Sequence, residues 1–388
     1  MSLGLVLITY VMLLPISAQA QAPNITYSSP ITITKGGVYS GSYRSLDSSV
    51  PCVRIATTEP VQLLNCTLAG AGDLIVSGEG ADLVVRNCRG YGLEPSRTGV
   101  GRGRFVNSYR ARRLWIEHNY LEQTSGLNID RWSTAAGVSG VSQPLLVRYN
   151  QARNIDGRWR GNQGSTRASF VILNTVRSLS GVEISYNEVR NTANQSLVED
   201  NINLYASSGT SGSPLRVHNN FVYGAYPYPA TATGYTGTGM TTDGNGNASE
   251  VTAFVEAYEN QFISTCNAGM NIAAGHDIYY HDNRVVTSGL LADGTRLPST
   301  WAGTSIFNYY NLPSSVFYNN RVERLVVGYM SKGGQNGRLD TSPGACASCA
   351  TLPLPNPVTV DTERGEEQRW QQKLQQQNIT VGPERGSE

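Results

Sequence analysis

Charge is scarce in this chain of 388 residues. Only 15% of them are charged, and 30 Lys+Arg against 29 Asp+Glu leave a formal net charge of +1. A disordered acidic or basic tail needs a much larger imbalance, and nucleic-acid binding needs a basic excess that is absent. No long apolar run interrupts the body of the chain, which excludes a multi-pass membrane protein. The 41 Gly lack the three-residue period of collagen. What the chain does have, besides Gly, is 30 Asn. Both residue types supply tight turns, and with so few charges they point to β architecture. The length suits two compact domains or one elongated one.

Residues 1–20 read as an export signal. Leu3 to Leu14 is apolar, Pro15 follows, and Ala18-Gln19-Ala20 forms an A-x-A cleavage site. The run is shorter than the ~20 residues of a membrane helix, which argues against an uncleaved anchor. The expectation is therefore a secreted protein, extracellular or periplasmic, that begins near Gln21 and has no membrane contact after cleavage. Cys52, Cys66, Cys88, Cys266, Cys346 and Cys349 are then free to form disulfides, with 15 connectivities open. Cys346-Ala-Ser-Cys349 reads as a loop staple, since a lone CxxC without a nearby His is a weak zinc signal.

An internal repeat organises the rest. It reads apolar-x-apolar-x-x-Asn, as in Leu114 to Asn119, Leu145 to Asn150, Val182 to Asn187, Leu215 to Asn220, Val255 to Asn260 and Ile278 to Asn283. Further copies are read ending at Asn65, Asn87 and Asn320, giving intervals of 22 to 40 residues. Alternating apolar positions mean strand. The recurrent Asn is expected at a turn, because its amide can bond the backbone and it tolerates left-handed geometry. Stacked in a solenoid, such side chains can bond one another in a ladder. A second strand precedes many copies, such as Gly126 to Asp130, Asn201 to Tyr205, Gly239 to Asp243 and Gly269 to Ala273, and a short third one follows each Asn. Three short strands per repeat describe one rung of a coil.

With these residues the chain resembles the right-handed parallel β-helix proteins of the pectate-lyase-like group, over roughly residues 50–330. The expected fold is all-β: a single solenoid of three short strands per rung over residues 51–340. Residues 21–50 would cap its start, and 341–388 would form a C-terminal loop and a short helical tail. Asp361 to Gln377 reads as that helix, with Trp370 and Leu374 four residues apart on one face. The resemblance is poor for function, because lyases, hydrolases, epimerases, phage spikes and inert surface proteins share the fold.

The resemblance implies a substrate groove along the outside of the first strand of each rung. By alternation its side chains are Asn128, Asp130, Asn203, Tyr205, Thr241, Asp243 and Asn271, with Glu199 and Asp200 at its mouth. The segments Val198–Gly209 and Gly237–Asp243 also resemble a pattern in a subgroup of secreted β-helix proteins. There an acidic pair opens one strand, a Ser-Ser-Gly turn follows, and an Asp ends the next strand. Glu199, Asp200, Ser207, Ser208, Gly209 and Asp243 match it, whereas Ala206 stands where a basic residue is expected. Asp200 and Asp243 are thus the candidate catalytic pair, with Glu199 supporting. Such carboxylates serve as acid and base in glycoside hydrolysis, or bind Ca²⁺ and assist β-elimination. The bland alternative is that they cap turns; Asp243 lies in Asp-Gly-Asn-Gly.

Substrate-binding candidates also include His276, near the groove, and Tyr226, Tyr228 and Tyr235 of the loop 222–238, whose rings could stack on sugars. His218 and His281 are placed in one outward column with Arg148, Tyr258 and Tyr318. Glu183, Arg216 and Glu256 are placed in another, as a surface ion-pair ladder. The expected partner is a polysaccharide, cleaved by a lyase or a glycoside hydrolase. No motif demands a cofactor, and Ca²⁺ is the one candidate ion. A non-catalytic glycan-binding or structural solenoid is the rival reading, and a phage-spike-like trimer a third. Oligomeric state is not legible.

Overall fold

The period-two strands and their bends build a parallel β-helix. A computed structural model describes residues 22–132, 143–161, 164–331, 337–342, 346 and 349–384; the expected export signal lies outside them. A sheet of ten parallel strands, from Ile31–Ile33 to Ala302–Ile306, forms the first face. The second and third strands of each rung join in a sheet of twenty, again wholly parallel. Residues 31–45 do not form a separate cap. They make a complete first rung, paired to the second along all three of its strands.

Inward side chains stack in file. On the first sheet Val53, Ile75, Val106, Leu127, Val171, Ile202, Met240 and Met270 occupy one register row, all fully buried. Each rung thus covers apolar surface that its neighbour cannot hide alone.

The Asn ladder runs unbroken from Asn119 through Asn150, Asn187, Asn220 and Asn260 to Asn283, all buried. Each of the first five donates its amide Nδ2–H to the Oδ1 of the next at 2.8–2.9 Å. The backbone N–H of each donates to that same oxygen at 3.0–3.1 Å. The file begins one residue off the expected place. Asn65 and Asn87 are not rungs of the ladder; Cys66 and Cys88 hold those positions, with Cys66 N–H on Cys88 Sγ and Cys88 N–H on Asn119 Oδ1. Nor is Asn320 a copy: the next rung aligns Val326 with Arg284, which puts Leu325 after Asn283.

The left-handed residue of each bend is the one before the ladder position. Asn65, Asn87, His118, Tyr149, Tyr186, Asn219, Glu259 and Asp282 all have φ of 52–58°. That conformation turns the chain while its N–H still donates to the next rung, as from His118 to Arg148 and from Asn219 to Tyr258. The expected left-handed role and the ladder role therefore fall on adjacent residues. An inward amide has to stay in line with the stack, whereas a left-handed side chain points out, so Tyr, His and Glu serve there too.

Of the six cysteines, Cys346 and Cys349 form a disulfide, and the other four are free and buried. Glu183, Arg216 and Glu256 do share a register row, with Arg216 at 3.6 Å from Glu256. The His218 row also holds Arg148, Tyr258 and His281, but it ends on Glu323; Tyr318 instead stacks on His276.

The C-terminal helix α1 spans Val360–Gln377, between an N-cap Thr359 that shares a capping box with Thr362 and a left-handed Asn378. It runs back over the third strands instead of sitting on the last rungs alone. Glu366 holds Arg284 with two bonds of 2.6 Å. Trp370 is buried against Phe221 and donates to Glu188. Lys373 reaches Asn219, and Gly382 N–H bonds Tyr149. The contact is largely polar, which a search for an apolar stripe understates. Glu363 lies fully buried under the start of α1, accepting from Ser288 N–H and Tyr223 OH, and burial raises its carboxyl to about 7.

Two outcomes follow for stability. Asn220→Ala leaves the buried N–H of Asn187 without its acceptor, and should lose about 3 kcal/mol in a denaturant titration; a loss below about 1 kcal/mol would contradict the ladder's role. Glu363 keeps its proton in the folded state at a pH where the unfolded chain has released it. Its contribution is complete below about pH 4 and declines as pH rises through about 7. The melting temperature of Glu363→Gln should accordingly fall less than that of the parent between pH 5 and 8.

Candidate functional site

Outward side chains of the first sheet form two register rows. One carries Asn107, Asn128, Ile172, Asn203, Thr241, Asn271 and Ser305. The other, near the strand ends, carries Tyr109, Asp130, Asn174, Tyr205 and Asp243. The alternation that packs Ile202 and Leu204 inward leaves Asn203 and Tyr205 on the outer face. The groove residues expected from the repeat therefore do share one face.

Asp200 opens the strand Asp200–Tyr205 and is only 8% exposed. Its Oδ2 accepts from Asn203 Nδ2 at 2.8 Å, and its Oδ1 from the Thr241 hydroxyl at 3.2 Å. Burial, reinforced by the negative charge of Glu199, pushes its carboxyl up to about 7, although the Thr238, Asn203 and Thr241 side chains offer it donors. Asp243 ends the next strand. Its Oδ1 accepts Gly244 N–H at 2.8 Å and Tyr310 OH at 2.9 Å. Burial raises its pKa against those bonds. Glu199 is also raised by burial, and the Arg167 guanidinium lies 3.6 Å away. Arg167 is 81% exposed, so its pull is screened by solvent.

Glu199, Asp200 and Asp243 are thus brought within electrostatic reach of one another, with Tyr205 beside Asp243. The turn-cap role weighed for the two aspartates applies to Asp243, through Gly244. The Asp200 carboxyl bonds side chains of the outer face instead. Among the described residues no three His, Cys, Asp or Glu side chains converge to hold a metal ion.

Other expected residues lie apart. Asn128 bonds Asn107, and Asp130 pairs with Arg131, two rungs before Asp200 and three before Asp243, about 10–15 Å. Asn271 accepts from the Ser305 hydroxyl. His276 starts a second-face strand, bonds Asp277 at 2.7 Å and stacks on Tyr318, so it turns to its own bend and away from the groove. Tyr226 cannot meet a sugar: it is buried with Ala230, Cys266 and Leu297, and its OH donates to Ser264. The ring of Tyr228 is covered by the Arg158 guanidinium at 4.5 Å. Tyr235 remains open and meets Trp301 edge-on.

Reading outward from the repeat missed Arg167, Trp301, Ser305 and Tyr310. The stretch Trp301 to Tyr310, with four aromatics bracketing one short strand, carried a signal as strong as that of the 222–238 loop. Comparison with protein-family models, curated proteins and solved structures returns no match.

The buried Asp200 carboxyl gives a direct test. Its folded pKa of about 7 exceeds the unfolded value, so stability drops as pH rises from about 4 to about 7. Asp200→Asn, an uncharged isostere, should melt above the parent at pH 8 and close to it at pH 5. An equal or lower melting temperature at pH 8 would show that this carboxyl is not under strain.

Proposed function

We propose that this β-helix is an exported carbohydrate-active enzyme of the pectate-lyase-like kind, hydrolysing glycosidic bonds of an extracellular polysaccharide on the outer face of its first sheet. The observation that carries this reading is the Asp200 carboxyl, buried next to Glu199 and within electrostatic reach of Asp243, and raised to about 7. One proton is then held at neutral pH on a group facing a polar groove. Asp200 is the general acid that protonates the leaving oxygen. Asp243, whose Oδ1 is fixed by Gly244 and Tyr310, keeps its Oδ2 for the base or nucleophile role. Glu199 holds the proton on Asp200 by its charge. Asn203 and Thr241 position that carboxyl, and Tyr205 flanks the pair.

Hydrolysis is favoured over β-elimination by the local charge. A uronate lyase needs cations to neutralise its substrate's carboxylate. Here the Glu199 and Asp243 carboxylates face the exposed Arg167, and Asp200 holds its proton.

Purified protein on a panel of plant, algal and bacterial polysaccharides should release reducing ends without the ultraviolet absorbance of a new C=C bond. Asp200→Asn and Asp243→Asn should each slow release at least a hundredfold while remaining folded. Absorbance rising with the reducing ends would replace hydrolysis by elimination. Unchanged release in both variants would place the chemistry elsewhere, and silence on every polymer would favour the non-catalytic solenoid.

A further inference from the structure

Beyond the carboxylates, the first face ends in an unbroken chain of aromatic rings. Tyr235 meets Trp301 at 6.5 Å between centroids, Trp301 meets Phe307 at 5.4 Å, Phe307 meets Tyr309 at 6.3 Å, and Tyr309 meets Tyr310 at 5.0 Å. The last ring donates its hydroxyl to Asp243. Tyr235, Phe307 and Tyr309 are 76%, 38% and 64% exposed. Their supports are fixed. Trp301 Nε1–H donates to Ser305 Oγ, which itself bonds Asn271, and the Thr300 hydroxyl ties the 222–238 loop through Gly234 O. Asn308 exchanges two bonds of 2.8 Å with Leu312, which closes the loop that carries Tyr309 and Tyr310.

We infer that Tyr235, Trp301, Phe307 and Tyr309 form a platform for the sugar rings of a neutral oligosaccharide, so that the substrate is an uncharged glycan and not a uronate. This rests on the glycan-cleaving reading above and adds the substrate class. Three features select the occupant. Exposed rings present apolar faces that match the C–H faces of pyranoses, and the Asn271 and Ser305 side chains beside them supply hydrogen bonds. Next, the platform is continuous with the carboxylates through Tyr310 and Asp243, so one extended ligand can cover both. The rows of Asn203, Thr241, Asn271 and Ser305 place it one to three rungs, about 5–15 Å, beyond Asp200. Finally, charge decides between sugars. With the proton held on Asp200, the strip still sets the carboxylates of Glu199 and Asp243 against Arg167, and a chain bearing a carboxylate on every residue would be repelled along it.

The test uses the full chain with Asp200→Asn, which removes the proposed general acid so that ligand survives the titration. Titration calorimetry compares cellohexaose, xylohexaose and mannohexaose with hexagalacturonate, and the titrations are repeated with Trp301→Ala or Tyr309→Ala added. Among the described residues Tyr309 makes no side-chain hydrogen bond, so its variant guards against misfolding of the Trp301 variant. At least one neutral hexasaccharide should bind, tenfold or more tightly than hexagalacturonate, and either ring deletion should weaken it at least tenfold. Tighter binding of hexagalacturonate, unaffected by the ring deletions, would overturn the inference and leave glycan cleavage standing. A protein that binds no hexasaccharide but dimerises through Trp301 in sedimentation would assign the platform to self-association. Absence of both binding and dimers would remove the inference together with the glycan reading.

Discussion

The buried amide file from Asn119 to Asn283 is the interaction on which the rest of the molecule depends. An Asn inside an apolar coil is costly unless both its donors and its acceptor are used. Here they are used only if the adjoining rungs are present, because from Asn150 onward each Oδ1 receives two N–H groups from the rung before it. Each Nδ2 also reaches back to a strand carbonyl, as Asn220 does to Ile184. The ladder therefore couples rungs by more than apolar contact and holds every bend at one height along the stack. The first two positions, filled by Cys66 and Cys88, continue the same N–H pattern, with the weaker Cys88 sulfur as the acceptor for Cys66.

The site is a consequence of that regularity. Once bends are held in line, outward side chains from residues 30–40 apart in sequence fall into rows with the strand spacing. Asp200 and Asp243 come onto adjacent strands of one face, paired with Thr238 and Tyr205 respectively and within electrostatic reach of each other. Their unusual protonation comes from burial, which raises both carboxyls even though donors such as Asn203 to Asp200 and Tyr310 to Asp243 pull the other way. A solenoid face is otherwise flat, and the loop Phe307 to Leu312 together with the 222–238 loop supplies the relief.

A second consequence is the strap. The α1 helix crosses rungs that already pair with each other, so its contacts brace several of them from outside. Glu366 and Arg284, with Gln261, form a buried and well-bonded group. Glu363 is different: its carboxyl is buried with neutral donors and, among the described residues, no cation bonded to it, which favours the protonated form. The two acids lie three residues apart on one helix and answer to opposite environments.

The repeat, the strands and the terminal helix were legible because they rest on local rules: period-two burial, polar turn residues, and Trp370 spaced from Leu374. The ladder's phase was not. Asn is favoured both for a left-handed bend and for an inward amide, so Asn65 and Asn87 read like Asn119 until register showed them to be the residue before. The same limit applied to the site. Alternation identified Asn203, Tyr205 and Asp243 as outward, but it could not tell that Tyr226 turns into a side core, that His276 faces its own bend, or that Tyr310 comes back to Asp243 from 67 residues away. By itself the sequence determined a stacked β coil with a polar outer face. Only the tertiary structure decided which of those polar groups lose their water, because burial is set by the chain that arrives from other rungs and not by the residue's neighbours in sequence.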